Sequence, residues 1–483
     1  MIEDIREALE DGARVDFDLV IIGGGPAGIT LARELAGTGQ RIALLEAGGL
    51  THPDAEQLSL YEGQSTGLPY PIAASRQRFF GGTSNHWGGW CRPLDEVDFS
   101  NRSWMPGSGW PIERSQLMPF YRRAHDIVEV PSRDYDISDD VDEDVILPAD
   151  RSSEFRNAGF RFSPPTRFGQ RYRDELRGLE DLSVFLNATV TDLEHDQRRV
   201  TAARVQTLDG RNYEFRAGRF VLATGGLEVP RLLLHTAKND APALGNSSGL
   251  VGRYFMEHFG YTPGYLLTRA GLKYHRHPGR DAPLMPVLTP SVDLMRRLEL
   301  NNCCLLFTAV EPDVDWPPEA LATPGLAPRV PSGAWRYRIT MINEPTPNAD
   351  SRVSLGEERD ALGMRKLKLH WAIADRDLKG IDRLVGRLSR WLGRSGLGRM
   401  QYSRPVSPET TRSFTGGMHH MGTARMSRAP EDGVVDPDCR VHGTDNLYVA
   451  SSAVFPASGY SNPTLTIVAL SLRLAHHLKG AQA

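Results

Sequence analysis

The spacing of apolar residues changes along this chain, and the changes mark its elements. From Phe17 the text runs FDLVII, a short apolar stretch rich in β-branched residues that predicts a buried strand. GGGPAG follows at 23–28, then ITLARELAGTGQ, which predicts a tight turn opening a helix. RIALLEAGG at 41–49 supplies a second strand. Further short strands are predicted within 183–224, including NATVTDLE and FVLAT. In 375–393, Leu378, Ile381, Leu384, Val385, Leu388, Trp391 and Leu392 share one helical face, with Arg383, Arg387, Arg390 and Arg394 elsewhere. That pattern predicts an amphipathic helix packed on a sheet; a helix lying on a membrane surface is the alternative. A last helix is predicted over TLTIVALSLRLAHHL, with Pro463 as its first residue.

At 483 residues the chain exceeds one typical core, and its 40% hydrophobic content can bury two. The net charge of −4 gives no field to draw a polyanion, so nucleic acid is not expected as a partner and a small molecule is. Four cysteines, Cys91, Cys303, Cys304 and Cys439, lack CxxC spacing; a reducing compartment is expected and no metal is. The opening MIEDIREALEDGARVDFD is acidic where a secretory leader would be basic, and no run of apolar residues is long enough to span a membrane. A cytoplasmic location follows as an expectation. Carboxylates crowd 134–150, which reads as a solvated loop, with attraction of a cationic substrate the alternative.

The first chemical signal is the glycine turn. Gly23, Gly25 and Gly28 fit GxGxxG between a strand and a helix: the first makes the turn, the second admits a pyrophosphate, and the third lets helix pack on strand. A phosphate would sit at the helix start, on free N–H groups. The second strand ends in Glu46, 18 residues beyond Gly28, where a carboxylate can accept from ribose hydroxyls. NAD enzymes and flavoproteins share this fingerprint, so the choice of dinucleotide stays open on these residues.

Later segments are more specific. GGTSNHW at 81–87, ATGGLEVPRLLL at 223–234, GLVGRYFMEH at 249–258, NEPTPNADSRVSL at 343–355, and the C-terminal HxxGT, DNLYVASSAVFP and SNPTLT follow one another in order. With the GGGPAG turn, they resemble the glucose-methanol-choline (GMC) flavin oxidoreductases over nearly the whole length, and within them the branch of pyranose oxidases and sugar or polyol dehydrogenase subunits. The resemblance implies FAD, oxidation of an alcohol, and an α/β architecture (α+β overall). A Rossmann-type FAD-binding domain would comprise 15–95, 180–265 and 415–483. A substrate domain built on an antiparallel sheet with helices would take 96–179 and 266–414.

The chemistry asks for the same parts. Oxidising CH–OH to C=O needs a hydride acceptor, which no side chain can be, and a base for the hydroxyl proton, which a neutral imidazole can be near pH 7. The family pattern places the catalytic histidine at His419, with its neighbour His420 pointing elsewhere, and a substrate-orienting carboxamide at Asn462. The resemblance also implies cofactor contacts at Gly81, Gly82, Thr83, Asn85 and His86, at Val190, Thr224, Gly225 and Ser452, and at Asn462 and Thr464. Ser452 stands where many relatives carry Asp. His86 matches a position that in some members bonds the flavin covalently; noncovalent packing is the alternative. His258 is expected to brace a cofactor or domain contact and not to be catalytic. Trp87, Trp90, Trp104 and Trp110 read as core, with a sugar-stacking wall possible for one or two.

The expected substrate is a pyranose or glycoside oxidised at a ring hydroxyl, reoxidation falling to dioxygen or another electron acceptor. A simple or aromatic alcohol is the alternative, and a lyase with redox-silent FAD a rival from another reaction class. A non-catalytic flavin-binding partner is a third. Oligomeric state is not legible.

Overall fold

The computed structural model describes residues 1–480 except 136, 138–139, 143–144, 150–153, 197, 238–241, 311–332, 403–405 and 407–409; at 402, 410 and 412 only the backbone is described. Much of the acidic run expected as a loop over 134–150 therefore lies outside the described residues.

The first sheet is a parallel stack in the order Ile2–Asp4, Leu182–Leu186, Ile42–Leu45, Arg14–Ile22, Asn212–Leu222 and Leu447–Val449. The strand Arg14–Ile22 shows why. Its first half alternates in burial, whereas Leu19, Val20, Ile21 and Ile22 are all buried, as a strand must be when helices cover both faces. The first half of Asn212–Leu222 also pairs antiparallel with Arg199–Gln206, which in turn pairs with Thr189–Asp196. Helix Pro26–Leu35 leaves the glycine turn with Pro26 in its first turn, where a missing N–H costs nothing. The C-terminal helix Thr464–Gly480 packs against it and against helix Arg114–Ile127. Pro463 immediately precedes that last helix and its carbonyl accepts from Ile467 N.

The second sheet is antiparallel, in the order Arg399–Tyr402, Phe259–Thr268, Trp335–Asn343, Cys303–Ala309, Leu284–Pro290, Phe155–Phe162 and Trp90–Cys91. Helix Asp375–Arg394 lays Ile381, Leu384, Val385, Leu388, Trp391 and Leu392 into one core with Leu305, Phe307, Ile339 and Met341 of this sheet. Its apolar face is thus covered by protein. Two details cut across the division expected from the sequence. Strand Ile2–Asp4, ahead of residue 15, belongs to the parallel sheet. Strand Phe259–Thr268, which crosses residue 265, lies inside the antiparallel sheet.

Candidate active site

Between the sheets runs a cleft of about 580 Å³, large enough for a cofactor-sized molecule. Its floor is the glycine turn at the end of strand Arg14–Ile22. Gly23 has φ of +111°, and a Cβ there would lie 2.6 Å from the Ala223 carbonyl oxygen, so the turn admits no side chain. Gly28 faces away from the cleft; a Cβ on it would sit 1.9 Å from the Gly23 carbonyl oxygen, which is the helix-on-strand contact expected of the third glycine.

The Glu46 carboxylate lies buried beside the turn, accepting from the amides of Gly24 and Gly48, each at 2.8 Å. Burial raises its pKa, against which those amides and the nearby Arg78 work. Arg78 donates from Nη2 to the Thr189 hydroxyl, but its Nε is buried without a partner, as is Oγ1 of Thr224. Both residues line the cleft. Unsatisfied buried polar atoms carry a penalty of about 1–3 kcal/mol each, and these two belong to residues of the cleft wall. The turn, the helix start and the buried acid fit a dinucleotide.

Most of the residues singled out in the sequence meet in this one cleft. Gly23, Gly25, Glu46, Gly82, Thr83, His86, Val190, Thr224, Gly225, Ser452, Asn462, Thr464 and His419 all line it. Gly28, Gly81 and Asn85 stand behind its wall: Gly81 backs onto Gly169, and Asn85 donates from Nδ2 to the Phe80 carbonyl at 3.0 Å. Ser452 donates its hydroxyl hydrogen to the His420 carbonyl at 2.6 Å, which leaves only its lone pairs for a ligand. His86 is exposed at the cleft, and partial desolvation of its ring together with Arg167 lowers its pKa.

At the far end, His419 and Asn462 converge from segments 43 residues apart, with Asn462 Nδ2 3.1 Å from His419 Nε2. His420, the adjacent residue, turns into the core and meets the Ser75 hydroxyl at 3.1 Å. Burial, with His258 and His420 close by, holds the His419 pKa well below the usual histidine value, so its ring is neutral at pH 7. His258 touches His419 directly: the two Nδ1 atoms are 2.9 Å apart, and His258 Nε2 lies 2.8 Å from the Gly459 carbonyl oxygen.

Glu257 had no assigned part and turns out to hold the loop. Its buried carboxylate accepts from Gly417 N at 3.1 Å, from His419 N at 2.9 and 3.0 Å, and from the Tyr70 hydroxyl at 2.7 Å. Desolvation pushes its pKa up to about 7. The signal was in the text: FMEHF sets an acid and a base inside an apolar run, where an ionisable side chain needs buried partners. Met418, between these tethered amides, takes φ of +60°, a left-handed backbone that a non-glycine residue adopts at a cost.

Trp87, Trp90, Leu306, Thr340 and Ile342 also line the cleft, while Trp110 belongs to the core. Among the described residues no helix is long and apolar enough to cross a membrane, and no group of three His, Cys, Asp or Glu is placed to hold a metal ion.

Comparison with known proteins agrees with this geometry. Residues 347–471 match the family model described as GMC oxidoreductase. The chain is 29% identical over 308 residues to the fructose dehydrogenase large subunit of Gluconobacter japonicus, covering 60% of this chain and 53% of that protein, so the match spans about half the relative's length. It is 23% identical to the 2-methyl-1,2-propanediol dehydrogenase of Mycolicibacterium austroafricanum, with 95% of each chain covered. Pyridoxine 4-oxidase from Mesorbium loti shares the fold, with a TM-score of 0.60 at 19% identity over 95% of this chain and 98% of the other. In its C-terminal family model, its relatives and its fold, this chain is similar to the GMC oxidoreductases.

Proposed function

We propose that this chain oxidises an alcohol CH–OH to a carbonyl, with FAD in the cleft and His419 as base. The observation that carries the proposal is the 3.1 Å approach of Asn462 Nδ2 to His419 Nε2 at one end of a cleft whose other end is the glycine turn. The Gly23–Gly25 turn and the start of helix Pro26–Leu35 would hold the diphosphate, Glu46 the ribose, Val190 the adenine edge, and Gly82, Thr83, Ser452 and Thr464 the remainder. FAD bound there supplies the hydride acceptor that the protein lacks. Neutral His419 takes the hydroxyl proton on Nε2, and Asn462 donates to the same oxygen and holds it in place. The amide of Asn462 keeps the position on Nε2 that a substrate hydroxyl takes on entry.

The substrate we favour is a pyranose or glycoside, oxidised at a ring hydroxyl; the relative named for fructose supports a sugar. One observation favours a second reading. Trp87, Trp90, Leu306 and Ile342 present apolar and aromatic surface with Thr340 as a hydroxyl among them, a wall suited to a simple or aromatic alcohol, and the diol dehydrogenase relative accords with that. The four cysteines are buried thiols, which suits a reducing, cytoplasmic setting.

Anaerobic mixing with a panel of sugars, glycosides and simple alcohols tests the proposal. The visible flavin absorbance should bleach with a substrate in the parent and persist in His419→Ala with flavin still bound. Product formed while the flavin stays yellow would instead indicate a lyase. Acid precipitation should release yellow flavin, with His86 packed against it; colour in the pellet would indicate a covalent link.

A further inference from the structure

We infer that His258 sets the tautomer of His419, so that the cleft-facing nitrogen of the base carries no hydrogen. The assignment serves the base proposed above, yet it follows from donors and acceptors alone. A carbonyl oxygen only accepts, so the hydrogen in the 2.8 Å contact between His258 Nε2 and Gly459 O belongs to the imidazole. A neutral imidazole has one N–H, which leaves Nδ1 of His258 bare. That atom is 2.9 Å from Nδ1 of His419, and one hydrogen must lie between them; His419 supplies it. Nε2 of His419 is then left as a lone pair on the cleft, where Asn462 Nδ2 donates to it.

Two features make the arrangement firm. A doubly protonated His258 would reverse it, but burial opposes a charge there and pushes the His258 pKa down to about 4. The Gly459 carbonyl is itself held, because Gly459 N donates to Glu344 at 3.0 Å and Glu344 is clamped by both terminal nitrogens of Arg102, at 2.6 and 2.8 Å, with both side chains buried. Without His258, the next acceptor near His419 Nδ1 is Glu257 Oε1 at 4.0 Å, beyond hydrogen-bond reach. An imidazole left to itself favours the N–H on Nε2, which would block the atom that must accept the substrate proton. His258 is therefore a positioning residue: it acts through the base it touches.

Long-range proton–nitrogen correlation spectra of flavin-loaded protein carrying ¹⁵N-histidine separate the two tautomers, with the His419 signals identified by their loss in His419→Gln. The parent should show His419 protonated on Nδ1 and bare on Nε2. His258→Leu should shift it toward the Nε2–H form and lower kcat about 100-fold with flavin still bound. His258→Asn, whose Oδ1 can accept in place of Nδ1, should restore the parent pattern. A parent His419 carrying hydrogen on Nε2, or a pattern unchanged in His258→Leu, overturns the assignment. If the leucine variant fails to fold, the parent and asparagine spectra decide. These spectra need no turnover, so failure to find an alcohol substrate would overturn the proposed function and leave the tautomer assignment to stand or fall separately.

Discussion

Replacing Glu257 tests whether the loop carrying His419 is held from behind. The carboxylate meets only donors: the amides of Gly417 and His419, and the Tyr70 hydroxyl. Leucine of similar bulk leaves the partly buried His419 amide and the buried Tyr70 hydroxyl without this acceptor, at about 1–3 kcal/mol each, so the local cost is about 4 kcal/mol, the amide of exposed Gly417 adding less. Glutamine behaves differently. Its carbonyl oxygen can keep the amides, and its NH₂ can donate to Tyr70 if that hydroxyl reverses its role, so the loss is about 1 kcal/mol and is offset because a buried charge disappears. The readout is hydrogen–deuterium exchange of the peptide spanning 415–421, which reports local opening rather than global unfolding. At 1.4 kcal/mol per tenfold, Glu257→Leu should speed exchange there about 1,000-fold, and Glu257→Gln less than about tenfold. Parent-like exchange in the leucine variant, or equal damage in both, refutes the account.

Other consequences can be checked the same way. Because burial lowers the His419 pKa, the neutral base persists as pH falls through 6.5: kcat/KM should be level from about pH 8 to 6.5 and decline only below, with a midpoint under the ordinary histidine value; a midpoint above 6.5 contradicts the assignment. Arg102 and Glu344 form a buried pair, so removing either partner alone by Arg102→Met or Glu344→Leu should cost about 3–5 kcal/mol in a urea titration, and the double variant less than the sum. Gly28→Ala puts a Cβ 1.9 Å from the Gly23 carbonyl oxygen and should yield colourless protein; a yellow variant with parent affinity for flavin would show that the turn can yield.

What the sequence disclosed follows from how local each interaction is. FDLVII and GGGPAG are readable because the strand, turn and helix are consecutive, and the Gly28–Gly23 contact spans five residues. Glu46 is readable because a parallel neighbour strand must return at that spacing. The meeting of His419 and Asn462 was available only through the family resemblance, since no periodicity links two loops 43 residues apart. Glu257 binding Tyr70 across 187 residues, and the Gly459 carbonyl orienting His258 across 201, leave no trace of that kind. A backbone oxygen has no letter of its own. Gly81 and Asn85 belong to a cofactor loop by resemblance, and in the structure their atoms shape the loop itself.

The cleft also joins two materials of unequal tolerance. The histidine side is pinned through main-chain atoms and interior charges, where a single exchange upsets several contacts. Another part of the cleft lining is a pleated surface, with Leu306 paired to Thr340 and Ile342 set between Cys304 and Gly260 on neighbouring strands. Ladder bonds there do not depend on which side chain projects, so positions 306, 340 and 342 can be varied without breaking them, although Leu306 and Ile342 also pack against the cluster that holds Phe160 and Met285. A library confined to them would reshape the cleft while the proton-handling apparatus stays put.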